Sequence, residues 1–315
     1  MTNIVFMGTP DFSVPILNRL IEEGYHIPLV VTQPDRPKGR KKVMTPPPVK
    51  QAAIEHGIEV FQPEKIKESY EKIFAYEPDI LITAAYGQIL PEPLLDYPEL
   101  GAINVHASLL PELRGAAPIH YALMQGKKQT GVTIMYMVKA LDAGDMLSKK
   151  TVEIEETDDV GTLHDKLSDA GAGLLKETLP GLIEGTLIAE PQNHEAATFA
   201  STIKRGEESI EFTRPSEDVW NHIRGMSPWP VAHTVWEGKP LKLWAARKGS
   251  LTHSEVPGTI LDKSPEGIVV ACGDGRSVIV TELQPAGKKR MDAAAFVNGV
   301  GQAMNIGDVL GENNE

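Results

Sequence analysis

The sequence predicts an α/β protein in which a doubly wound parallel sheet is followed by a smaller all-β domain. Continuous apolar runs at residues 3–7, 27–32 and 80–85 indicate buried strands. Residues 13–23 carry apolar side chains at helical spacing and stop at Gly24, so a helix connects the first two strands. This strand, helix, strand order predicts a right-handed parallel βαβ unit.

Further elements extend the first domain along the chain. A long amphipathic helix is expected to close it over residues 160–184, with Leu163 and Leu167 on its apolar face. The basic, proline-rich segment 33–48 predicts a mobile loop. Helical patterns are expected near residues 49–56, 64–76 and 117–124, and an apolar run at 132–138 predicts the strand that completes the sheet.

The composition changes after Gly185, where prolines and short apolar runs recur between glycines. Many short strands within about 100 residues predict a small β-barrel, although composition does not distinguish a barrel from a small sandwich. We expect a first domain over residues 1–190, a linker over 191–207 and a β domain over 208–315. The strands are expected at residues 241–246, 258–261, 268–272 and 277–283.

Composition limits the class of protein. With 41% hydrophobic and 23% charged residues, the 315-residue chain resembles an ordinary globular protein. We expect a cytoplasmic protein without membrane attachment, because the chain has no run of about 18 apolar residues and no basic, cleavable start. A monomer is also expected. The single cysteine, Cys272, cannot form an internal disulfide and has no base motif beside it, so we expect a structural residue.

Charge argues against indiscriminate nucleic-acid binding, because the formal net charge is −12. Against that background, residues 36–42 (RPKGRKK) contain five positive side chains in seven positions. They lie between a predicted strand and a predicted helix. We therefore favour a functional basic patch there over a merely solvated loop.

Two common classes of site are not expected. The turn at residues 8–13 does not match the G-x-G-x-x-G pattern, and no acidic residue ends the second strand, which argues against a nicotinamide dehydrogenase. The nine histidines include no H-x-x-x-H pair or Cys/His array, so we expect no metal.

Residues 101–145 gather three polar side chains that suit catalysis. Asn104 and His106 stand at i and i+2 in an apolar alternating run, so a strand directs both to one face. Asp142 follows the apolar run 132–138, in a loop where a neighbouring strand is expected to end. Open α/β sheets place their active sites at such ends.

These blocks carry a family resemblance. Residues 104–111 (NVHASLLP), Arg114-Gly115 and residues 141–145 (LDAGD) resemble, in this order, the signature of the folate-dependent formyltransferases. The resemblance implies a Rossmann-like formyltransferase domain followed by an open, five-stranded, OB-like β-barrel. It also implies 10-formyltetrahydrofolate as co-substrate.

The resemblance implies a role for each polar group. Formyl transfer to an amine needs a polarised carbonyl and a route for the amine proton. The Asn104 amide and a protonated His106 would donate hydrogen bonds to the developing oxyanion. Asp142 would stabilise the imidazolium and could pass the proton onward. The alternative is that Asn104 and His106 are satisfied polar groups at a strand end.

The pterin of the folate is implied to lie between two loops, because a flat ring with amide-like edges needs an apolar slot and exposed backbone groups. Leu109 and Leu110 could instead be plain core residues. The residues implied to bind it are Gln88, Ile89 and Leu90 on one side, and Leu109, Leu110, Pro111 and Glu112 on the other.

The segments expected to bind the acceptor of the formyl group most resemble the subfamily that acts on transfer RNA. This resemblance implies initiator methionyl-tRNA as partner. Residues 32–40 look like that subfamily's basic insertion, with Arg40 on its key arginine, and Phe12 is a possible wall for the methionine side chain. Thr202 stands where a lysine is common. The residues implied to bind the acceptor are Thr9, Pro10, Phe12, Arg36, Lys38, Arg40, Lys41, Lys42, Lys204 and Arg205.

Two alternatives stay open at this point. The same chemistry could act on an amino-sugar nucleotide or another small amine, for which a barrel and a basic loop are unnecessary. A non-catalytic RNA-binding protein is the second alternative, and the intact Asn104, His106 and Asp142 argue against it.

Overall fold

The structure is a computed structural model that describes residues 2–39 and 41–311. Arg40, implied to contact the acceptor, lies outside the described residues. The chain forms two compact units. The first comprises residues 1–118, 129–153 and 164–200, and the second comprises residues 119–128, 154–163 and 201–315.

The first unit is built on a sheet whose described strands run in the order β5-β2-β1-β6-β7-β8-β9. The strands from β5 to β7 in this order are parallel, as the strand, helix, strand order predicts, although β5 itself was not predicted. In chain order the strands are β1 (Asn3–Gly8), β2 (His26–Val31), β3 (Arg36–Lys38), β4 (Val43–Thr45), β5 (Glu59–Phe61), β6 (Ile80–Ala84), β7 (Ala102–His106), β8 (Gln129–Tyr136) and β9 (Met146–Glu153).

Four of the described helices lie where the sequence predicts a helix, namely those that begin at residues 14, 48, 118 and 160, whereas the short helix that begins at residue 92 was not predicted. Helix α1 buries Ile16, Leu17 and Leu20 at helical spacing, which confirms the predicted helix between the first two strands. The helices are α1 (Val14–Glu22), α2 (Pro48–Glu55), α3 (Glu71–Phe74), α4 (Glu92–Leu95), α5 (Pro118–Met124) and α6 (Val160–Ile183).

The direction of β8 differs from the predicted parallel arrangement. Strand β8 pairs antiparallel with β7, with Thr133 opposite His106 and Tyr136 opposite Ile103. Strand β9, which the sequence pattern did not predict, is antiparallel to β8. An apolar run is compatible with either direction, so the pattern could not decide it. The chain therefore leaves β8 beside the start of β7, and residues 137–145 return toward its end.

Two local predictions are wrong. The segment 33–48 contains an antiparallel hairpin, β3 paired with β4, where a mobile loop is predicted. The predicted helix over residues 64–76 is divided into a short 3₁₀ turn at Ile66–Glu68 and helix α3. Ser69, with φ −149°, interrupts the helical conformation between them.

The second unit contains an antiparallel sheet packed on a hydrophobic core, and its described strands follow the order β10-β11-β14-β13-β12, with β15 paired to β14. Helix α7 (Ser216–Met226) and strand β10 (His233–Trp236) were not predicted. Helix α8 (Ala293–Asn298) adds Phe296 to the core. The other strands are β11 (Lys239–Lys248), β12 (Ile260–Ser264), β13 (Gly267–Ala271), β14 (Ser277–Pro285) and β15 (Met291–Asp292).

Cys272 lies in the core of the second unit and is 1% exposed. Burial raises the pKa of its thiol to about 12, so the thiolate is scarce at neutral pH. This environment agrees with the predicted structural role. Within residues 2–39 and 41–311, none of the helices combines the length and apolar character needed to span a bilayer.

Candidate active site

The site is built at the carboxyl ends of the central parallel strands, where the loops after β1, β2 and β6 are tied together. Thr9 Oγ1 donates to the Tyr86 carbonyl oxygen at 2.8 Å, and Gln33 Nε2 donates to the same oxygen at 3.2 Å. These hydrogen bonds connect the loops at this edge into one network. Strand β7 ends at the same edge, because it is parallel to β6.

Asn104 lies on β7, and its side-chain amide is oriented by a neighbouring strand. The Thr83 hydroxyl on β6 donates to Asn104 Oδ1 at 2.8 Å. Thr83 itself is 2% exposed, so this hydrogen bond is screened little by water. With Oδ1 engaged, the Asn104 Nδ2 protons are the groups left to donate to a ligand. Thr83 was not predicted as a site residue.

His106 is 6% exposed, and its ring is oriented by the loop that follows β7. Its Nε2 lies 3.1 Å from the Leu113 carbonyl oxygen. Because a carbonyl can only accept, Nε2 carries the proton and donates, and Nδ1 of the neutral ring is left with a lone pair. The structure therefore assigns Nδ1 as the nitrogen that can take up a proton.

Asp142 comes from the loop between β8 and β9 and faces this nitrogen. The distance from Asp142 Oδ2 to His106 Nδ1 is 3.8 Å, and the two side chains are 13% and 7% exposed. The same oxygen accepts a hydrogen bond of 2.7 Å from the Gly115 backbone N–H. Asp142 was expected in a loop at the end of a neighbouring strand; it lies in the loop after β8, a strand that is antiparallel to β7.

Gly115 has a backbone conformation and a packing environment that require glycine. Its φ is +117°, and a Cβ at this position would lie 2.6 Å from the Ala200 carbonyl oxygen. Two backbone segments meet here, since Ala200 N donates to the Arg114 carbonyl at 2.7 Å. The N–H that holds the Asp142 carboxylate therefore belongs to a position where only glycine fits.

Gln192 is a site residue that sequence reasoning missed. It is 5% exposed, and its Nε2 donates to the carbonyl oxygens of Asp142 and Gly144 at 2.9 and 2.7 Å. Its Oε1 accepts two hydrogen bonds from the Arg114 guanidinium, at 3.1 and 2.6 Å. No local motif marks Gln192, because its partners are distant in the sequence.

The residues implied to bind the pterin differ in how much they can contact a ligand. Ile89 is 87% exposed, whereas Leu90 is 5% exposed and packs in the core. Gln88 uses its side chain within the protein, where Oε1 accepts from Ile66 N at 2.8 Å and Nε2 donates to the Glu64 carbonyl at 3.2 Å. In this loop the apolar side chain that faces solvent is therefore that of Ile89.

The opposite loop is held closely to the sheet. Leu110 is 2% exposed and packs against Met135 and Met146, so its side chain is a core residue, as the alternative interpretation proposed. Leu109 lies against Gly131 of β8 and is partly buried. Pro111 is partly buried and Glu112 is exposed.

The residues implied to contact RNA in the first unit are mostly on the surface. Lys38, Lys41 and Lys42 are exposed on the β3–β4 hairpin. Arg36 is also exposed, and its guanidinium forms an ion pair of 2.7 Å with Glu64. Beside the lysines, Val43 and Met44 are each 59% exposed.

The other implied acceptor residues are less uniform. Phe12 is 5% exposed, and its ring contacts the His164 ring at a centroid distance of 5.6 Å. Pro10 is partly buried, and its carbonyl accepts from Ser13 N at 3.0 Å. In the second unit, Lys204 and Arg205 are exposed at a turn.

Family models and a full-length relative both identify formyltransferases as the proteins to which this chain is similar. Residues 2–179 match the family described as Formyl transferase, and residues 202–301 match the Formyl transferase C-terminal domain. The chain is 60% identical over 317 aligned residues to the methionyl-tRNA formyltransferase of Bacillus subtilis (strain 168), covering 100% of this chain and 99% of that protein.

Solved structures with low sequence identity share the fold. The crystal structure of WlaRD, a sugar 3N-formyl transferase, superposes with a TM-score of 0.68 at 15% identity, covering 92% of this chain and 99% of that one. Methionyl-tRNA formyltransferase from Clostridium thermocellum superposes with a TM-score of 0.55 at 15% identity, covering 78% of this chain and 93% of that one. The chain belongs to the formyltransferase family, within its group of methionyl-tRNA formyltransferases.

Proposed function

We propose that this chain transfers the formyl group of 10-formyltetrahydrofolate to the amino group of methionine on initiator methionyl-tRNA. The observation that carries the proposal is the convergence of Asn104, His106 and Asp142 at one sheet edge, with His106 Nδ1 3.8 Å from Asp142 Oδ2. Full-length identity of 60% to methionyl-tRNA formyltransferases supports the choice of acceptor.

Asn104 stabilises the charge that develops on the formyl oxygen. The donor supplies an electrophilic formyl carbon, whose oxygen becomes negative when the amine adds. Because the Thr83 hydroxyl engages Asn104 Oδ1, the Nδ2 protons are free to donate to that oxygen. A fixed donor in a site with little water stabilises such a charge more than a mobile water does.

The resemblance implied a protonated His106 as a second donor to the oxyanion. The hydrogen bond of Nε2 to the Leu113 carbonyl favours a different role, in which His106 provides the route for the amine proton. Its Nε2 proton is committed to the Leu113 carbonyl, so the Nδ1 lone pair accepts the proton that the attacking amine loses. The proton can then be returned to the leaving nitrogen. The resulting imidazolium faces the Asp142 carboxylate, with His106 Nδ1 3.8 Å from Asp142 Oδ2.

The residues near the site fit a folate donor. The exposed Ile89 side chain offers an apolar surface to a flat ring, and the neighbouring loop backbone offers donors and acceptors. Leu109, Pro111 and Glu112 would lie on the other side of the ring. The buried Leu110 and the internally bonded Gln88 would contribute backbone groups and loop shape.

We propose that the RNA acceptor binds to positively charged residues on the protein surface. The hairpin lysines and the exposed Lys204 and Arg205 would contact phosphates, which is the type of interaction that positions nucleic acid without reading sequence. We further propose catalysis in residues 1–190, a linker over 191–207, RNA binding in residues 208–315, and action as a cytoplasmic monomer.

An amino-sugar nucleotide is the second candidate acceptor, because WlaRD, a sugar 3N-formyl transferase, shares the fold. The basic hairpin favours RNA over a sugar nucleotide, since a small acceptor has no extended phosphate backbone to contact. A non-catalytic RNA-binding role does not explain a buried His106 paired with Asp142 beside an oriented Asn104.

The test is a formylation assay with the purified full chain. The chain is incubated with 10-formyltetrahydrofolate and methionyl-tRNA, and N-formylmethionine is measured after deacylation. A parallel reaction replaces the RNA with an amino-sugar nucleotide. We expect formylation of the RNA alone, and Asn104→Ala should lower kcat by roughly 10²-fold or more. Formylation of the sugar alone, or full turnover by Asn104→Ala, would contradict the proposal.

A further inference from the structure

Gln192 occupies a position in which all of its hydrogen-bonding capacity is used beside the catalytic loop. A glutamine amide has two N–H donors and two acceptor lone pairs. Both donors are directed to loop carbonyls, those of Asp142 at 2.9 Å and Gly144 at 2.7 Å. Both lone pairs accept hydrogen bonds from the Arg114 guanidinium.

Arg114 decides which way the amide faces. A guanidinium has donors and no acceptor, so it can contact only the oxygen of the amide. The nitrogen of Gln192 must then face the loop carbonyls. Arg114 is 5% exposed, and its Nη2 also contacts His194 Nδ1 at 3.0 Å, which holds the guanidinium in place. The orientation of the Gln192 amide is therefore determined by chemistry as well as by shape.

The loop that Gln192 holds has a backbone conformation that needs support. Asp142 has φ +47°, in the left-handed region that residues other than glycine adopt at a cost of about 1 kcal/mol. The hydrogen bonds from Gln192 to the carbonyl oxygens of Asp142 and Gly144 stabilise this turn. On the opposite side, the Gly115 N–H holds the Asp142 carboxylate itself at 2.7 Å. Two adjacent residues therefore support the loop: Arg114 acts through Gln192, and Gly115 bonds directly to the Asp142 carboxylate.

We infer that Gln192 is a positioning residue for formyl transfer, which keeps the Asp142 carboxylate directed at His106 through its bonds to the two loop carbonyls. The inference rests on the proposed function. It assigns Gln192 no contact with substrate. Its effect on turnover passes through Asp142, so removing the Asp142 charge should remove most of the effect of changing Gln192.

The decisive variant is Gln192→Glu. A carboxylate keeps the size of the side chain and an acceptor for Arg114, but it has no N–H for the carbonyls of Asp142 and Gly144. We expect kcat to fall at least tenfold, with the KM values for methionyl-tRNA and for 10-formyltetrahydrofolate within about twofold of wild type. Gln192→Met, which has similar length and no amide, should lower kcat in the same way.

A double-mutant cycle separates positioning from general damage to the structure. In the Asp142→Asn background, Gln192→Glu should change kcat by less than about twofold. Equal fold reductions in both backgrounds would overturn the inference, as would failure of both Gln192 variants to fold, measured by circular dichroism and thermal melting. A wild-type chain that formylates no methionyl-tRNA would instead refute the proposed function.

Discussion

The direction of one amide decides whether Asn104 can assist the reaction. An asparagine that presented its oxygen to the formyl oxygen would oppose the developing charge, whereas its nitrogen supports it. The Thr83 hydroxyl, buried on the neighbouring strand β6, favours the second arrangement by donating to Oδ1. Thr83 Oγ1 also lies 3.2 Å from the Ile103 carbonyl and 3.1 Å from Met137 Sδ, so its position is defined by several neighbours.

Replacing Thr83 tests this orientation at the scale of a single residue. Thr83→Val keeps the branched shape and removes the hydroxyl, so we expect kcat to fall about fivefold to tenfold, corresponding to one hydrogen bond of about 1 kcal/mol. Thr83→Ser retains the donor and should keep kcat within about twofold of wild type. Single-turnover formylation with both substrates saturating measures the effect. Equal kcat values for the Val and Ser variants would contradict an orienting role.

At the scale of elements, the β3–β4 hairpin carries the main difference between an RNA acceptor and a small one. It combines exposed lysines with two exposed apolar side chains, Val43 and Met44, although the net charge of the chain is −12. Lys38 lies on β3, Val43 and Met44 lie on β4, and Lys41 and Lys42 lie in the turn between these two strands. The described lysines of the basic patch, Lys38, Lys41 and Lys42, are therefore grouped on one hairpin.

Salt dependence of RNA binding tests the hairpin. If Lys41 and Lys42 neutralise phosphates, their replacement by alanine should lower the slope of log K against log[salt] by roughly 0.7–0.9 for each phosphate that is no longer neutralised. Affinity for the folate donor should be unchanged. A Lys149→Ala, Lys150→Ala double variant, altered at two exposed lysines of β9, is the matched control. Indistinguishable slopes for the two double variants would favour a small-molecule acceptor.

At the scale of the whole molecule, we expect the free energy of unfolding to depend on pH through histidines whose burial favours the neutral imidazole. Burial lowers the pKa of His222, with a smaller effect from Arg214, and burial also lowers the pKa of His120. A histidine in the unfolded chain has a pKa of about 6.5. Below that pH the unfolded state binds more protons than the folded state, so the folded state loses stability as the pH falls.

We therefore expect the midpoint temperature of thermal unfolding to decrease as the pH is lowered from about 7.5 to about 5.5, the interval around the pKa of histidine in the unfolded chain. His222→Gln should reduce this dependence, because one proton-binding group of the unfolded state is removed. His56→Gln, which alters an exposed histidine, serves as the control. Scanning calorimetry across this pH range provides the measurement. An unchanged pH dependence in His222→Gln would mean that His222 does not contribute.

The structural role of Cys272 could be predicted from the neighbouring residues in the sequence. The absence of a neighbouring base motif predicted a structural thiol, and the residue is buried with its pKa raised to about 12. Local sequence was sufficient there, because an activated thiolate needs nearby charge or a base that usually leaves a recognisable pattern.

The parallel pairing of β1 with β2 and the placement of Asn104 and His106 were determined by the sequence alone, because the strand, helix, strand order and a side-chain period of two are local properties of the chain. The direction of β8 was decided by tertiary structure, since an apolar run has no direction. The same is true of the Thr83 hydrogen bond, the choice of Nδ1 on His106 and the support from Gln192. Each depends on hydrogen bonds that local spacing does not specify, because the pattern of residue types carries no information about which groups the fold brings together.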